Sequence, residues 1–261
     1  MNLGLDERRV LITGASKGIG KAIAFELAEE GARIAICARG ESDLEATREE
    51  LEERSGRSVF ARRCDVTNPD DIITTIAAVV EHFNGLDILI NNAGSAHPGR
   101  FETLQDDDWH SDIDTKLMSQ IRCIRAALPA LRSSDHPRIV NVNAIYARYP
   151  DPAFIASSVN RASCLSLSKA LALELGREQI LVNSVNIGIV DTPQWDAIHQ
   201  RRSPGETRES FLKNLASSEI PLQRVGRVEE VSGLVAFLVS ARATYITGAS
   251  IDVSGGMGQY L

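Results

Sequence analysis

The stretch VLITGASKGIG at residues 10–20 decides how this chain is expected to fold. A short apolar run ends at Thr13, three glycines follow, and apolar side chains recur at helical spacing from Lys21 onward. That order predicts a strand, a glycine turn and a helix. Such a turn directs backbone N–H groups and a helix N-terminus toward one point, which glycines leave open to a phosphate. The stretch therefore predicts a nucleotide-binding unit, with an ordinary strand-to-helix turn as the alternative.

Apolar runs typical of buried strands alternate with helical patterns along the rest of the chain. The predicted strands span 33–38, 58–62, 86–90, 138–142, 180–185 and 250–253, and the predicted helices span 21–28, 41–54, 69–83, 106–132, 154–175 and 228–239. The alternation predicts an α/β fold, a Rossmann-type doubly wound parallel sheet with helices on both faces, in a single domain over 1–261. The polar stretch 194–217 predicts short helices within a mobile substrate loop at about 191–220. Ligand is expected at the carboxyl ends of the strands.

Composition narrows the range of functions. The chain has 261 residues, 43% of them hydrophobic, with a net charge of −7 that argues against binding nucleic acid or an acidic membrane. No apolar run approaches the roughly 20 residues that span a bilayer, and the N-terminus carries no signal-like segment. The cysteines stand apart in apolar contexts, which predicts reduced core thiols in a cytoplasmic protein. Neither they nor the histidines have the spacing of metal ligands, so no metal site is expected.

Five segments together resemble the motifs of the short-chain dehydrogenase/reductase family. Residues 13–20 match its TGxxxGxG turn, 64–66 its adenine-binding aspartate, and 91–94 its NNAG segment. Residues 182–188 match its RVNxVxPG segment, except that Ile187 replaces the usual Pro, and 245–256 resemble its C-terminal motif. The resemblance covers essentially the whole chain. It implies an oxidoreductase that uses a nicotinamide dinucleotide on a small carbonyl or alcohol substrate.

The expected cofactor is NADP(H). Ala38 lies where NAD-preferring members of the family carry an aspartate, while Arg39 and Lys17 place two cations at the same end, which favours a 2′-phosphate. The alternative is that both are ordinary solvated charges. The cofactor-binding residues implied by the resemblance are Gly14, Ser16, Lys17, Gly18, Ile19, Gly20, Arg39, Asp65, Val66, Asn91, Ala93, Gly94, Arg161, Gly188, Val190 and Thr192.

All four catalytic positions of the family are substituted. Alignment on the flanking motifs places Ala144 at the family's Ser, Ser157 at its Tyr, Arg161 at its Lys and Lys116 at its Asn. Nowhere in the chain does a lysine follow a tyrosine at the Tyr-x-x-x-Lys spacing. A serine is a far weaker acid than a phenol, and Arg161 stays charged near neutral pH. Tyr146, two residues past Ala144, is the phenol nearest to the expected substrate pocket.

The candidate catalytic residues are therefore Tyr146, Lys116, Ser157 and Arg161. We expect hydride-transfer activity to depend on Tyr146 or Lys116, and little on Ser157. A partly buried lysine has a lowered pKa and serves as an acid, and Lys116 or Arg161 would stabilise the phenolate of Tyr146. In the alternative interpretations, Lys116 extends to solvent at the helix rim, Tyr146 is an aromatic wall residue, and Ser157 is an ordinary helical serine.

Three functions remain in competition. The first is an NADP(H)-dependent oxidoreductase with an atypical proton donor, and the second is an NADP(H)-binding protein without hydride transfer. The third is a non-redox enzyme on the same fold; halohydrin dehalogenases also carry an arginine at the lysine position, but they keep Ser and Tyr and lose the glycine turn. The family resemblance further implies a homotetramer or homodimer that pairs the helices at about 106–132 and 154–175 and the C-terminal segment.

Overall fold

A seven-stranded parallel sheet forms the centre of the molecule. The computed structural model describes residues 2–258. The strands are β1 (Arg9–Thr13), β2 (Arg33–Ala38), β3 (Phe60–Arg63), β4 (Ile88–Asn91), β5 (Arg138–Ala144), β6 (Leu181–Ile187) and β7 (Ser250–Val253). Their order across the sheet is β3-β2-β1-β4-β5-β6-β7, so the chain reverses its direction of winding between β1 and β4. This is the predicted doubly wound sheet, whose crevice lies at the reversal point.

Helices cover both faces of the sheet, as predicted. They are α1 (Gly18–Glu29), α2 (Glu41–Ser55), α3 (Pro69–Phe83), α4 (Asp106–Ile113), α5 (Ser119–Arg132), α6 (Ile155–Leu175), α7 (Gln194–Arg202), α8 (Arg208–Glu219) and α9 (Val228–Val239). Alternate strand residues belong to two separate hydrophobic cores. Val10 and Ile12 pack with α1, α2 and α9 on one face of the sheet. Leu11 packs with α3, α5 and α6 on the other face. The two-residue period of a strand produces this division, since neighbouring side chains point to opposite faces.

Strand ends differ from the predicted ranges by up to two residues, because pairing with a neighbour sets them. For example, β3 begins at Phe60, the first residue that pairs with β2, rather than at residue 58. The four cysteines are free and buried, as predicted.

The predicted helix at 106–132 is interrupted by a turn of π-helix. The turn spans Asp114–Met118 and joins α4 to α5. Its extra residue rotates the helix, so Lys116 becomes buried while Leu117 is only half-buried. Along the same helix Ile113, Leu117 and Ile121 are half-buried, and polar side chains take several of the fully buried positions. π-turns occur frequently at functional sites.

The polar stretch predicted as short helices contains α7 and α8, which follow the carboxyl end of β6. Phe211, Leu212 and Ile198 form a small apolar core between them. The end of the C-terminal segment expected to pair subunits, residues 259–261, lies outside the described residues. Within residues 2–258, no helix has the length and apolarity needed to cross a membrane.

Candidate active site

The glycine turn after β1 is tied directly to the end of β4. Thr13 Oγ1 accepts hydrogen bonds from the backbone N–H groups of Asn92 and Ala93, both at 3.1 Å. In return, Asn92 Nδ2 donates to the carbonyl oxygens of Thr13 at 3.0 Å and of Gly14 at 2.9 Å. These bonds hold the turn rigidly across the crevice between β1 and β4.

Two of the three glycines are required by packing within the protein. A Cβ on Gly14 would lie 2.7 Å from Ala93 Cα, and a Cβ on Gly20 would lie 2.4 Å from Asn92 Nδ2. Gly14 also has a φ of 66°, in the left-handed region. The sequence predicts that all three glycines keep the turn open to a phosphate. The structure shows that Gly14 and Gly20 admit the β4 segment instead.

A cleft of about 890 Å³ opens above the turn, at the carboxyl ends of the strands. We call it the central cleft. Fifteen of the sixteen predicted cofactor-binding residues line it, as do the candidate catalytic residues Tyr146, Lys116, Ser157 and Arg161. The structure thus brings together residues from the turn after β1, the ends of β2 to β6 and two helices.

Asn91 is the exception among the predicted cofactor-binding residues. It is absent from the lining of the central cleft as the described residues define it. Its side chain is buried and its Nδ2 donates to Oδ1 of Asn141 on the neighbouring strand at 2.8 Å. The assignment of Asn91 to the cofactor is therefore corrected: alternation along β4 directs Asn91 into the sheet, and the next residue, Asn92, faces the cleft.

The central cleft has the features that a dinucleotide requires. Helix α1 begins without a side-chain cap, so the N–H groups of its first turn have no partner within the helix. Gly18 leaves space in front of Thr192, since a Cβ at Gly18 would reach to 3.3 Å from its Cγ2. This open set of N–H donors at a helix N-terminus is suited to a pyrophosphate.

The two predicted phosphate-binding cations differ in their surroundings. Lys17 forms an ion pair with Asp43 on α2 at 2.7 Å, and both side chains are about half exposed. Arg39 lines the same end of the cleft and is exposed. Asp65 accepts hydrogen bonds from the N–H and hydroxyl of Thr67, at 2.9 and 2.8 Å. Burial opposes ionisation of Asp65, but those bonds and the charge of Arg39 hold its pKa below the usual range.

A buried polar network joins α4 and the π-turn to α6 beside the central cleft. Lys116 Nζ donates to Ser157 Oγ at 3.0 Å and also to the carboxylate of Asp112. The other oxygen of Asp112 accepts from Asn160 Nδ2 at 2.7 Å. The exposed fractions are 2% for Asp112, 1% for Lys116, 5% for Ser157 and 3% for Asn160. Lys116 therefore does not extend to solvent at the helix rim; it lies in the interior, in contact with Ser157.

Opposing influences act on the Lys116 ammonium. Burial lowers the pKa of Lys116, and the charge of Arg161 adds to this effect. The adjacent Asp112 carboxylate favours the charged ammonium and opposes both. A cation held in this balance releases its proton more readily than an exposed lysine.

Ser157 cannot be separated from Lys116, because a hydrogen bond joins their side chains. The prediction that activity depends little on Ser157 assumes that Ser157 and Lys116 act independently, whereas in the structure their side chains are in contact. Sequence reasoning also missed Asp112 and Asn160. Their spacing carried the signal, since Asp112 stands four residues before Lys116 and Asn160 three after Ser157, on the same helix faces.

Arg161, which the alignment on the flanking motifs predicts to stand at the family's lysine, is anchored in place. Its Nη1 donates to the carbonyl oxygen of Val142 at 2.9 Å, and its own carbonyl oxygen accepts from Asn143 Nδ2 at 3.0 Å. Gly94 makes room for the guanidinium, since a Cβ there would lie 2.9 Å from Nη2. The fixed, forked donor is directed toward the part of the cleft beside the NNAG segment.

Tyr146 stands on the wall of the cleft, stacked on Phe154 with the ring centroids 5.4 Å apart. Burial raises the pKa of its phenol, and the carboxylates of Asp151 and Glu219 raise it further. Stabilisation of a Tyr146 phenolate by Lys116 or Arg161 remains a prediction, and the cation that lowers the pKa of this phenol in the structure is Arg202.

The fold and the cleft define a nucleotide-binding α/β protein with a candidate catalytic centre. A family model described as enoyl-(acyl carrier protein) reductase matches residues 14–258. The 3-oxoacyl-acyl-carrier-protein reductase FabG of Staphylococcus aureus is 34% identical over 251 residues, which cover 96% of this chain and 98% of that protein. The chain belongs to the short-chain dehydrogenase/reductase family of oxidoreductases.

Two solved structures are closely similar in fold. L-Sorbose reductase of Gluconobacter frateurii, complexed with NADPH and L-sorbose, superposes with a TM-score of 0.96 at 32% identity, over 100% of both chains. An NADPH-bound short-chain oxidoreductase of Pseudomonas aeruginosa, described as containing an atypical catalytic center, gives a TM-score of 0.90 at 33% identity. That match covers 97% of this chain and 98% of the other.

Proposed function

We propose that this protein is an NADPH-dependent oxidoreductase that interconverts a carbonyl and an alcohol on a small molecule, with Lys116 and Ser157 in place of the family's phenol. The observation that carries the proposal is the 3.0 Å hydrogen bond from Lys116 Nζ to Ser157 Oγ, inside the cleft that holds the nucleotide-binding turn. The NADPH bound by the two similar structures supports the same cofactor here.

The cofactor would lie along residues that the cleft already brings together. The first turn of α1 would hold the pyrophosphate, and Arg39 would contact the 2′-phosphate of the adenosine ribose. Arg161, which replaces the ribose-binding lysine of the family, would donate to hydroxyl groups at the other end. When bound, NADPH supplies a hydride to the carbonyl carbon.

The protein supplies the matching proton. The Ser157 hydroxyl gives its proton to the substrate oxygen, and Lys116 Nζ replaces that proton on Ser157 Oγ. Lys116 is then a neutral amine, which takes a proton from water before the next turnover. A placed proton donor contributes about 10²–10⁴-fold to such a rate.

The substrate part of the cleft is largely apolar. Tyr146, Phe154, Trp195 and Ile198 line it, and Tyr146 stacks on Phe154. Such a surface favours a carbonyl compound with an apolar or aromatic body over a polyhydroxylated sugar, because sugar hydroxyls would lose their hydrogen bonds to water there. In this proposal the chain acts as one domain over 1–261, and the segment at about 191–220 moves to admit the substrate.

The test compares two lysine variants. NADPH binding is measured first by fluorescence titration, and turnover of a panel of aldehydes and ketones is then followed by loss of NADPH absorbance. Lys116→Met should lower kcat by about 100-fold or more while NADPH binds as before, because a general acid is lost. Lys169→Met, on the exposed face of α6, is the matched control. Wild-type turnover by Lys116→Met would overturn the proposal.

The alternative is a protein that binds NADP(H) without hydride transfer. Substitution of all four catalytic positions favours it, together with the raised pKa of Tyr146, which makes this phenol a poor acid. Tight NADPH binding without turnover of any compound in a broad carbonyl panel would support this function. If the protein binds neither NADPH nor NADH, both the oxidoreductase function and the non-catalytic binding function are excluded.

A further inference from the structure

Asp112 lies behind the Lys116–Ser157 pair and away from the reacting groups. Lys116 and Ser157 both line the central cleft, whereas Asp112 and Asn160 do not appear in its lining within residues 2–258. Both carboxylate oxygens of Asp112 are occupied, one by the Lys116 ammonium and one by the Asn160 amide at 2.7 Å. A substrate in the cleft therefore has no direct contact with this carboxylate.

We propose that Asp112 is a positioning residue that holds the Lys116 ammonium against Ser157, and that Asn160 fixes the carboxylate in turn. This inference rests on the proposed function of Lys116. A lysine side chain has four rotatable bonds and a point charge, so it does not keep one orientation without a partner. One Nζ–H bond goes to Asp112 and one to Ser157, which fixes the ammonium in the direction of the cleft.

The Asp112 carboxylate also favours the charged form of Lys116, because it is an opposite charge in direct contact with the ammonium. The groups that face the ammonium are Asp112 from α4 and Ser157, Arg161 and Cys164 from α6. Burial and the like charge of Arg161 both disfavour the ammonium, and the Asp112 carboxylate opposes them. Without that carboxylate, Lys116 would be a neutral amine over a wider pH range and would have no proton to return to Ser157.

The spacing of the four residues accounts for the precision of this arrangement. Asp112 and Lys116 are four residues apart, and Ser157 and Asn160 are three apart on α6. Each pair therefore shares one face of its helical segment. The two pairs meet across the packed helices, so a displacement of Asp112 would move Lys116 relative to Ser157.

The first test needs no substrate. Lysine side chains labelled with ¹⁵N are titrated by NMR in the full-length protein, whose five lysines keep the spectrum simple. Asp112→Asn should lower the pKa of Lys116 by about 1–3, the effect expected on losing an opposite charge in contact. Asp114→Asn, two residues away and paired with Arg122 at the surface at 2.9 Å, should leave it unchanged. An unchanged Lys116 pKa in folded Asp112→Asn would overturn the inference.

Asp112→Glu provides a second test that can be made even if Asp112→Asn does not fold. Asp112→Glu keeps the charge but moves it by one methylene, so the Lys116 pKa should stay close to the wild-type value. The kcat should nevertheless fall, with the KM for NADPH unchanged, because the ammonium is displaced from Ser157. Wild-type kcat in Asp112→Glu would overturn the positioning role.

The second readout is the pH profile of turnover on a substrate found by the carbonyl screen. The donor works while Lys116 is protonated, so activity is lost as pH rises through its pKa. Asp112→Asn should therefore move the alkaline limb of kcat/KM to lower pH by the amount seen by NMR. A shifted Lys116 pKa with an unshifted profile would refute the proposed role of Lys116 in turnover. An unshifted pKa of Lys116 in Asp112→Asn would refute only the role of Asp112.

Discussion

Replacing Arg39 with aspartate should reverse the cofactor preference of this protein. Both Arg39 and Lys17 lie at the adenosine end of the central cleft, but Lys17 is already paired with Asp43 at 2.7 Å. Its charge is largely neutralised there, and the Asp43 carboxylate would repel a phosphate. Selectivity for the 2′-phosphate of NADPH should therefore depend on Arg39 rather than equally on both cations.

The magnitude follows from the two environments. A charge-assisted contact to phosphate contributes about 1.5–3 kcal/mol, which corresponds to roughly 10- to 150-fold in Kd. Arg39→Asp should weaken NADPH binding by at least that factor and improve NADH binding, since the new carboxylate can accept from ribose hydroxyls. Lys17→Met should change the Kd by about fivefold or less, as expected for a half-exposed, paired charge. Asp43→Asn should release Lys17 and tighten NADPH binding.

Calorimetric titration with NADPH and NADH at about 0.1 M salt measures these effects, because surface charges more than about 10 Å away are then screened. Arg62→Asp is the matched control: it makes the same change in net charge, but Arg62 does not line the cleft. If Arg39→Asp binds NADPH as tightly as the wild-type protein does, the assignment of the phosphate site is refuted. If Arg39→Asp and Arg62→Asp weaken NADPH binding equally, the overall charge of the protein, and not a contact with Arg39, sets the cofactor preference.

Three further outcomes are expected. Gly20→Ala should lower the free energy of unfolding in urea by about 1–3 kcal/mol, because the new Cβ would lie 2.4 Å from both Asn92 Nδ2 and the Gly14 carbonyl oxygen. The control is Gly205→Ala, where a Cβ meets nothing within 4 Å, and its effect on the free energy of unfolding should be close to zero. Tyr146→Phe should keep turnover near the wild-type level, since burial makes its phenol a weak acid, and a loss as large as that of Lys116→Met would contradict this. Light scattering should give two or four times the chain mass of 28.4 kDa, because apolar side chains of the long interrupted helix remain half-buried; a monomer mass at micromolar concentration would count against it.

Local patterns in the sequence were enough to predict the fold. Strand and helix periods repeat within a few residues, so the alternation of elements, the glycine turn and the parallel sheet follow from neighbouring positions. The resemblance to the short-chain dehydrogenase/reductase family, rather than any local period, implied the fifteen cofactor-binding candidates and the four catalytic candidates that the structure brings into one cleft. Alignment also marked Lys116 and Ser157 as the residues at the substituted positions.

Only the tertiary structure decided which of these side chains act together. The Lys116–Ser157 contact joins residues 41 positions apart, and it depends on a π-turn that rotates Lys116 inward and on the packing of α4 against α6. Likewise, the pleat of β4 turns Asn91 into the sheet, and helix α2 brings Asp43 to Lys17. The sequence determines each residue's chemistry and its element. The partner of a buried charge is set by the rotation and packing of whole elements, which no local period encodes.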